Sequence, residues 1–311
     1  MAGQRILVLG ASGAIGRPLC VRLRSAGHDV YGSHRSPDGA RVLEGLGCIP
    51  VSVDVFDEKA VARAVDEARP QVIVHQLTTL PKQPSPRAMA RGVAATGELR
   101  KRTVPQFAEQ ARRVGARFLA QSISFVTRPA GPPVQDESAP LWLDAPPAIA
   151  AGVDPVRILE EATVRAGGLV LRYGFLYGPG TWYARDGAIA SFVRKRLLPI
   201  TGKGEGLASF VHVDDAAEAT VAAIQRGESG VYNVCNDEPV AQSVWLPELA
   251  RLLGAKPPRR MPGWLVRTVA GESAAYYGMS LRGASNAKAK AAWGWTARPW
   301  RAGFEAEFAK R

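Results

Sequence analysis

The hydrophobic pattern opens on a bare apolar run. Ile6, Leu7, Val8 and Leu9 follow one another without a polar break, and Gly10 closes them off. A strand buried on both faces of a parallel sheet reads this way. The spacing then becomes helical, with Ile15, Leu19 and Leu23 on one stripe of a helix over about Ala14–Ala26. Pro18 falls in its first turn, where proline is tolerated, and Gly27 suits its C-terminal cap. The same alternation recurs down the chain. Strands are expected near His28–Ser33, Ile49–Val53, Val72–His75, Phe118–Ser122, Leu169–Tyr173, Phe210–Val213 and Val231–Val234. Helices are expected between Pro37 and Gly47, from a cap at Asp57 to Ala68, over Pro86–Gly115 and over Asp215–Ile224. In the long helix Leu99, Val104, Phe107 and Ala111 are the apolar points. A further helix is expected to start at Asp154-Pro155, a capping residue followed by proline, and to run through Ile158, Leu159 and Val164 to Gly167. Strands and helices alternating at this spacing predict an α/β fold with a doubly wound parallel sheet.

The turn after the first strand carries the first chemistry. Gly10, Gly13 and Gly16 form GxxGxxG between that strand and its helix. Gly10 allows the tight turn, Gly13 lets a pyrophosphate approach the backbone, and Gly16 lets helix and strand pack closely. The helix N-terminus adds N–H donors and partial positive charge. This predicts a Rossmann-type dinucleotide site. At the end of strand two, where an acid would hold a ribose 2′-hydroxyl, the chain reads Ser33-His34-Arg35-Ser36. Arg35 can pair with a 2′-phosphate, and Ser33 or Ser36 can add hydrogen bonds. NADP(H) is therefore expected ahead of NAD(H).

Regularity breaks in three places. Arg128–Pro147 is proline-rich, and Gly174–Gly206 mixes glycines, aromatics and the basic cluster Arg194-Lys195-Arg196. A helix-rich tail follows Pro239. Two interleaved parts are expected: residues 1–173 and 207–237 for the dinucleotide, and a smaller, largely C-terminal substrate-binding part from 174–206 and 238–311.

The 311 residues, 46% of them hydrophobic, suffice for a large core. No apolar run approaches a membrane span, and the chain enters its first strand without a signal-peptide pattern. Cys20, Cys48 and Cys235 lie far apart without metal-ligand spacing, as expected of buried thiols in a reducing cytoplasm, and no metal is expected. The net charge of +12 comes from 40 basic against 28 acidic residues. Those bases are scattered rather than striped among aromatics, so neither nucleic acid nor membrane is the expected partner.

The chain resembles the extended and atypical short-chain dehydrogenase/reductases, the family of sugar-nucleotide epimerases and dehydratases. The likeness rests on GASGAIG (10–16), Asp54-Val55, VIVHQLT (72–78) and QSIS (121–124). It continues through LRYGFLYGPG (171–180), FVHVDDAAEA (210–219), GVYNVCNDEP (230–239) and LRGASNAKAKAAWGW (281–295). The resemblance implies that Gly10, Ser12, Gly13, Ala14, Ile15 and Gly16 contact the pyrophosphate, and that Asp54 and Val55 sit against the adenine. It sets Leu77 and Thr78 beside the cofactor, and has Tyr173, Gly174 and Leu176 border the nicotinamide. It makes Ser122 the catalytic serine, its hydroxyl polarising a substrate oxygen, with Ser124 a near rival. His75 and His212 read as structural histidines. Relatives often dimerise through the helices holding Val104, Phe107, Ile158 and Val164, so a homodimer is expected.

The family's hydride chemistry uses Tyr-x-x-x-Lys, the tyrosine as proton donor and the lysine as its electrostatic partner. Aligned on the following glutamate, Glu161, this chain has Val153 and Arg157 at those positions. Valine transfers no proton, while arginine keeps a cation near the cofactor ribose but does not titrate usefully. A substitute donor would come from Tyr177, Tyr183 or Asp186. Tyr276, Tyr277, Trp142, Trp182 and Trp245 are candidates to line an aromatic pocket. The expected function is an NADP(H)-dependent oxidoreductase acting on a small, aromatic-compatible carbonyl or hydroxyl compound. The alternatives are an epimerase, dehydratase or other non-redox step on the same fold, or an inactive NADP(H)-binding sensor or scaffold.

Overall fold

Seven parallel strands form the centre of the molecule in a computed structural model that describes residues 3–81 and 85–308. They are β1 (Arg5–Leu9), β2 (Asp29–His34), β3 (Ile49–Ser52), β4 (Val72–His75), β5 (Arg117–Ile123), β6 (Leu169–Tyr173) and β7 (Gly230–Val234). Their spatial order is β7-β6-β5-β4-β1-β2-β3, so the chain winds outward from β1 in both directions. The helices are α1 (Gly16–Ser25), α2 (Pro37–Gly45), α3 (Glu58–Ala68), α4 (Pro86–Val114), α5 (Pro147–Arg165) and α6 (Val213–Arg226).

The apolar runs are continuous because both sheet faces are covered. Ile6 and Val8 pack with Leu19, Leu23, Ala216 and Ile224, from α1 and α6. Leu7 and Leu9, pointing the other way, pack with Val61, Val65, Val104, Phe107 and Leu159, from α3, α4 and α5. Local signals set the ends: Asp57 caps α3 by accepting from the N–H groups of Lys59 and Ala60, and Gly27 takes a φ of 82° just beyond α1. A third apolar cluster unites Tyr177, Phe210, Trp245, Leu246, Phe304 and Phe308 beside the sheet.

Two expectations change. α5 begins at Pro147, not at Asp154, and Pro155 lies inside it. Proline costs the helix one N–H, but here its ring packs against α4 where Gly97 has no side chain; a Cβ there would come 3.0 Å from the ring. The segment Phe210–His212 does not rejoin the main sheet. It pairs in parallel with Phe175–Tyr177, because the chain leaves the sheet at Gly174, whose missing Cβ admits the Ser209 carbonyl oxygen.

Candidate active site

The glycine turn is built for close approach. Gly10 has a φ of 82°, and a Cβ on Gly16 would stand 2.2 Å from the Gly10 carbonyl oxygen. Ser12 and Gly13 are exposed, while Ala14 is half-buried and Ile15 is buried. No side chain caps the N-terminus of α1 among the described residues, which leaves its amides for a pyrophosphate. Ser33 braces the turn by accepting from the Gly10 N–H at 3.2 Å. Arg35 is exposed past the end of β2, whereas Ser36 caps α2 by accepting from the Gly39 N–H. Asp54 is exposed and accepts from the Phe56 N–H; Val55 beside it is buried. Leu77 is half-buried and Thr78 exposed just beyond β4. These residues fit a dinucleotide laid across the C-terminal strand ends.

Ser122 is placed differently from its expectation. It is fully buried, and its hydroxyl donates to Glu160 Oε1 at 2.8 Å. Glu160 also receives Arg172 in a bidentate pair, at 2.7 and 2.6 Å. Ser122 and Arg172 face each other in register across β5 and β6, so both side chains turn toward α5. Ser122 therefore braces a buried ion pair, and its hydroxyl proton is committed to Glu160. Ser124 is also buried, its amide donating to the Tyr173 carbonyl.

Arg157 is half-exposed and tied to Asp154 and Glu161 along α5. The helix therefore turns Glu160, not Glu161, inward. Val153 and Val156 share that buried side and pack with Tyr276 and Leu281, with half-buried Ile123 against them. α5 contains neither tyrosine nor lysine.

The tyrosines separate by environment. Tyr173 is buried, its hydroxyl shared with Thr220 at 2.6 Å and receiving the Gln76 amide, and burial pushes its pKa up to about 12. Its ring belongs to the hydrophobic core. Tyr177 is 1% exposed among Phe210, His212 and Phe304, and its hydroxyl is occluded and unpaired. Burial pushes that phenol above its ordinary value, so Tyr177 is a packing residue and not the substitute acid. Tyr183 and Tyr277 are half-buried, and burial raises both phenols, Tyr277 to about 12. Asp186 is exposed. Trp245 belongs to the third cluster, and the Trp182 indole donates to the Pro81 carbonyl.

Beyond the ends of β5 and β6 these rings form an aromatic wall. Phe125 stacks on Phe175 with centroids 4.4 Å apart and planes 10° apart. Tyr277 stands edge-on to both, Tyr183 adds an edge to Phe175, and Trp142 leans on Tyr276. Half-buried Leu176 follows Phe175 on the same segment.

One more charged side chain, outside the motifs of the chain, is buried on α4. Arg100, on α4, is 7% exposed and makes no hydrogen bond or ion pair among the described residues. His75, at the end of β4, is buried beside it. Thr103 donates its hydroxyl proton to the Leu99 carbonyl, so it accepts from His75 Nε2, which fixes the neutral tautomer. Burial, with Arg100 contributing, lowers the His75 pKa to about 3. His75 is thus structural, as expected, and His212 likewise accepts from the Asp214 N–H at the start of α6. Among the described residues no cluster of side chains could hold a metal ion, and no helix is long and apolar enough to cross a membrane.

A seven-stranded doubly wound sheet with a glycine turn at its first helix defines a Rossmann-type fold. The sequence matches the model of the NAD dependent epimerase/dehydratase family over residues 6–100 and 156–235, and the chain belongs to that family. It is 45% identical to the 3-diazoavenalumate denitrifying reductase of a Streptomyces species, across 98% of this chain and 100% of that one. Its fold matches the UDP-glucose 4-epimerase of Thermotoga maritima with a TM-score of 0.74, at 21% identity and 97% coverage of both chains. The Thermus thermophilus UDP-glucose 4-epimerase, solved with NAD, matches with a TM-score of 0.71 at 24% identity, over 98% of this chain and 97% of that one.

Proposed function

We propose that this protein is an NADP(H)-preferring reductase that replaces a diazo group with hydrogen on a small, planar, conjugated compound. The observation that carries the reading is the apolar filling of α5's inner face by Val153 and Val156, against Ile123. Carbonyl reduction needs both a hydride and a proton. A diazonium carbon needs only the hydride. As the C–H bond forms, the C–N bond breaks, both its electrons leave with dinitrogen, and the positive charge is cancelled. No proton donor is required, and the Streptomyces relative is named for a denitrifying reduction of a diazo compound.

When bound, the nicotinamide supplies the hydride. The chain's own part is to orient and shield. The stacked Phe125 and Phe175, with Tyr277 edge-on, offer flat surfaces to a conjugated ring and π-faces to a cationic diazonium. The same wall keeps water from competing for that carbon. Exposed Arg35 supports the preference for the 2′-phosphate.

The reading extends to assembly and location. A homodimer would use the outer sides of α4 and α5, through Ile158 and Val164; Val104 and Phe107 are taken by the sheet core. A monomer mass by light scattering would reject it. Three buried free thiols suit the reducing cytoplasm.

The test is stoichiometric. With 3-diazoavenalumate as substrate, one NADPH should be oxidised per dinitrogen released, and NADH should support slower turnover. Dinitrogen release without nicotinamide oxidation, or no reaction at all, would reject the reading in favour of a non-redox step or a binding role.

A further inference from the structure

The charges buried between α4, α5 and the ends of β4 and β5 do not cancel. Arg172 and Glu160 neutralise each other in a pair that is 5% and 8% exposed at its side chains. His75 is neutral. Arg100 is left over, close enough to both His75 and Glu160 for its charge to act on them. Burial lowers its pKa only to about 10, so the guanidinium stays charged at neutral pH. The neighbouring carboxylates are already engaged: Glu160 with Arg172 and Ser122, Asp154 and Glu161 with Arg157, and Glu98 with Lys101.

A buried cation without a counter-ion is strongly unfavourable, and a protein retains one where an anion arrives to meet it. The guanidinium presents a planar fork of N–H donors that matches a carboxylate in bidentate geometry. Among the described residues none of its nitrogens is both sealed from solvent and unpaired, so an incoming group can reach it. The glycine turn that would take the pyrophosphate is a separate element, at the start of α1.

We propose that Arg100 is the receptor for a carboxylate on the substrate, making the substrate class a conjugated carboxylic acid. The proposal rests on the reductase reading of this site, and it assigns to Arg100 a positioning and specificity role.

The test uses binding alone. The full-length protein saturated with NADP⁺ is titrated calorimetrically with trans-cinnamate and with methyl trans-cinnamate, which share a conjugated body and differ in the anion. Cinnamate should bind at least ~10-fold more tightly than the ester, the scale of one charge-assisted pair. Arg100→Gln should abolish that difference while leaving NADPH affinity within about twofold of the parent. Arg100→Lys, which keeps the charge but not the fork, should retain part of the difference and serves where the glutamine variant fails to fold. Equal binding of acid and ester by the parent, or a full difference in Arg100→Gln, would overturn the proposal. Loss of NADPH binding in a folded Arg100→Gln would also overturn it, by assigning the arginine to the cofactor. Because no turnover is involved, a parent that binds cinnamate selectively yet denitrifies nothing would reject the reductase reading and leave the carboxylate site standing.

Discussion

Ser122 donates to Glu160 at 2.8 Å, and both side chains are buried. A serine at the C-terminal end of a central strand is well placed for catalysis, yet this one faces α5. Ser122→Ala removes one hydrogen bond to a charged group and leaves the Arg172 pair intact, a loss of about 1.5–3 kcal/mol. The variant should melt several degrees lower and keep a kcat within about threefold of the parent at permissive temperature. A serine that met the transition state would instead lower kcat about 10²-fold without destabilising the fold. Thermal melts beside initial rates separate the two.

His75 gives the fold an acid-sensitive element. Its folded pKa lies near 3, below the ordinary 6.5, chiefly through burial. A depressed pKa contributes stability that is present above the unfolded value and lost as pH falls from there toward the folded one. Between pH 7 and pH 5 that single group should remove about 2 kcal/mol of unfolding free energy. His75→Gln, which keeps a donor for Thr103, should flatten the profile in that window. An unchanged slope in chemical denaturation would show that other groups dominate.

The proposed NADPH preference rests on exposed Arg35. Arg35→Ala should weaken NADPH by roughly 1.5–3 kcal/mol and leave NADH almost unaffected. Ser36→Ala should act chiefly through α2, because its hydroxyl caps that helix. Equal NADPH and NADH dissociation constants for the parent protein would remove Arg35 from this role.

Installing a tyrosine and a lysine on α5 should not raise activity. Val153 is fully buried in an apolar cluster, so Val153→Tyr overpacks it and should cost about 1–3 kcal/mol. Arg157 points along the helix surface to Asp154 and Glu161, so Arg157→Lys places an amine among those surface carboxylates. A large rate gain in the Val153→Tyr/Arg157→Lys double variant would show that the helix presents these positions to the substrate after all.

Much of the fold was legible because buried parallel strands leave continuous apolar runs. Ile6–Leu9 and Leu169–Tyr173 need no partner to be recognised, and the glycine turn carries its own steric signature. The start of α5 was not legible, since proline both opens helices and interrupts them. Only the packing of Pro155 on Gly97 shows which applies. Nor could the sequence say whether Glu160 or Glu161 turns inward, as adjacent residues differ by one helical step. Arg100 did leave a signal. It lies four residues before Val104, seven before Phe107 and eleven before Ala111, on the buried stripe of α4. Its neighbours Lys101 and Arg102 are basic too, so residue type alone does not set Arg100 apart.

The central claim is that hydride reaches carbon as dinitrogen leaves, with no proton supplied by the protein. The most direct measurement uses NADPH deuterated at the transferring position of nicotinamide C4, with 3-diazoavenalumate in ordinary water, and mass spectrometry of the product. The account predicts one deuterium per product molecule, at the carbon that bore the diazo group. Product carrying only solvent hydrogen at that carbon would contradict it.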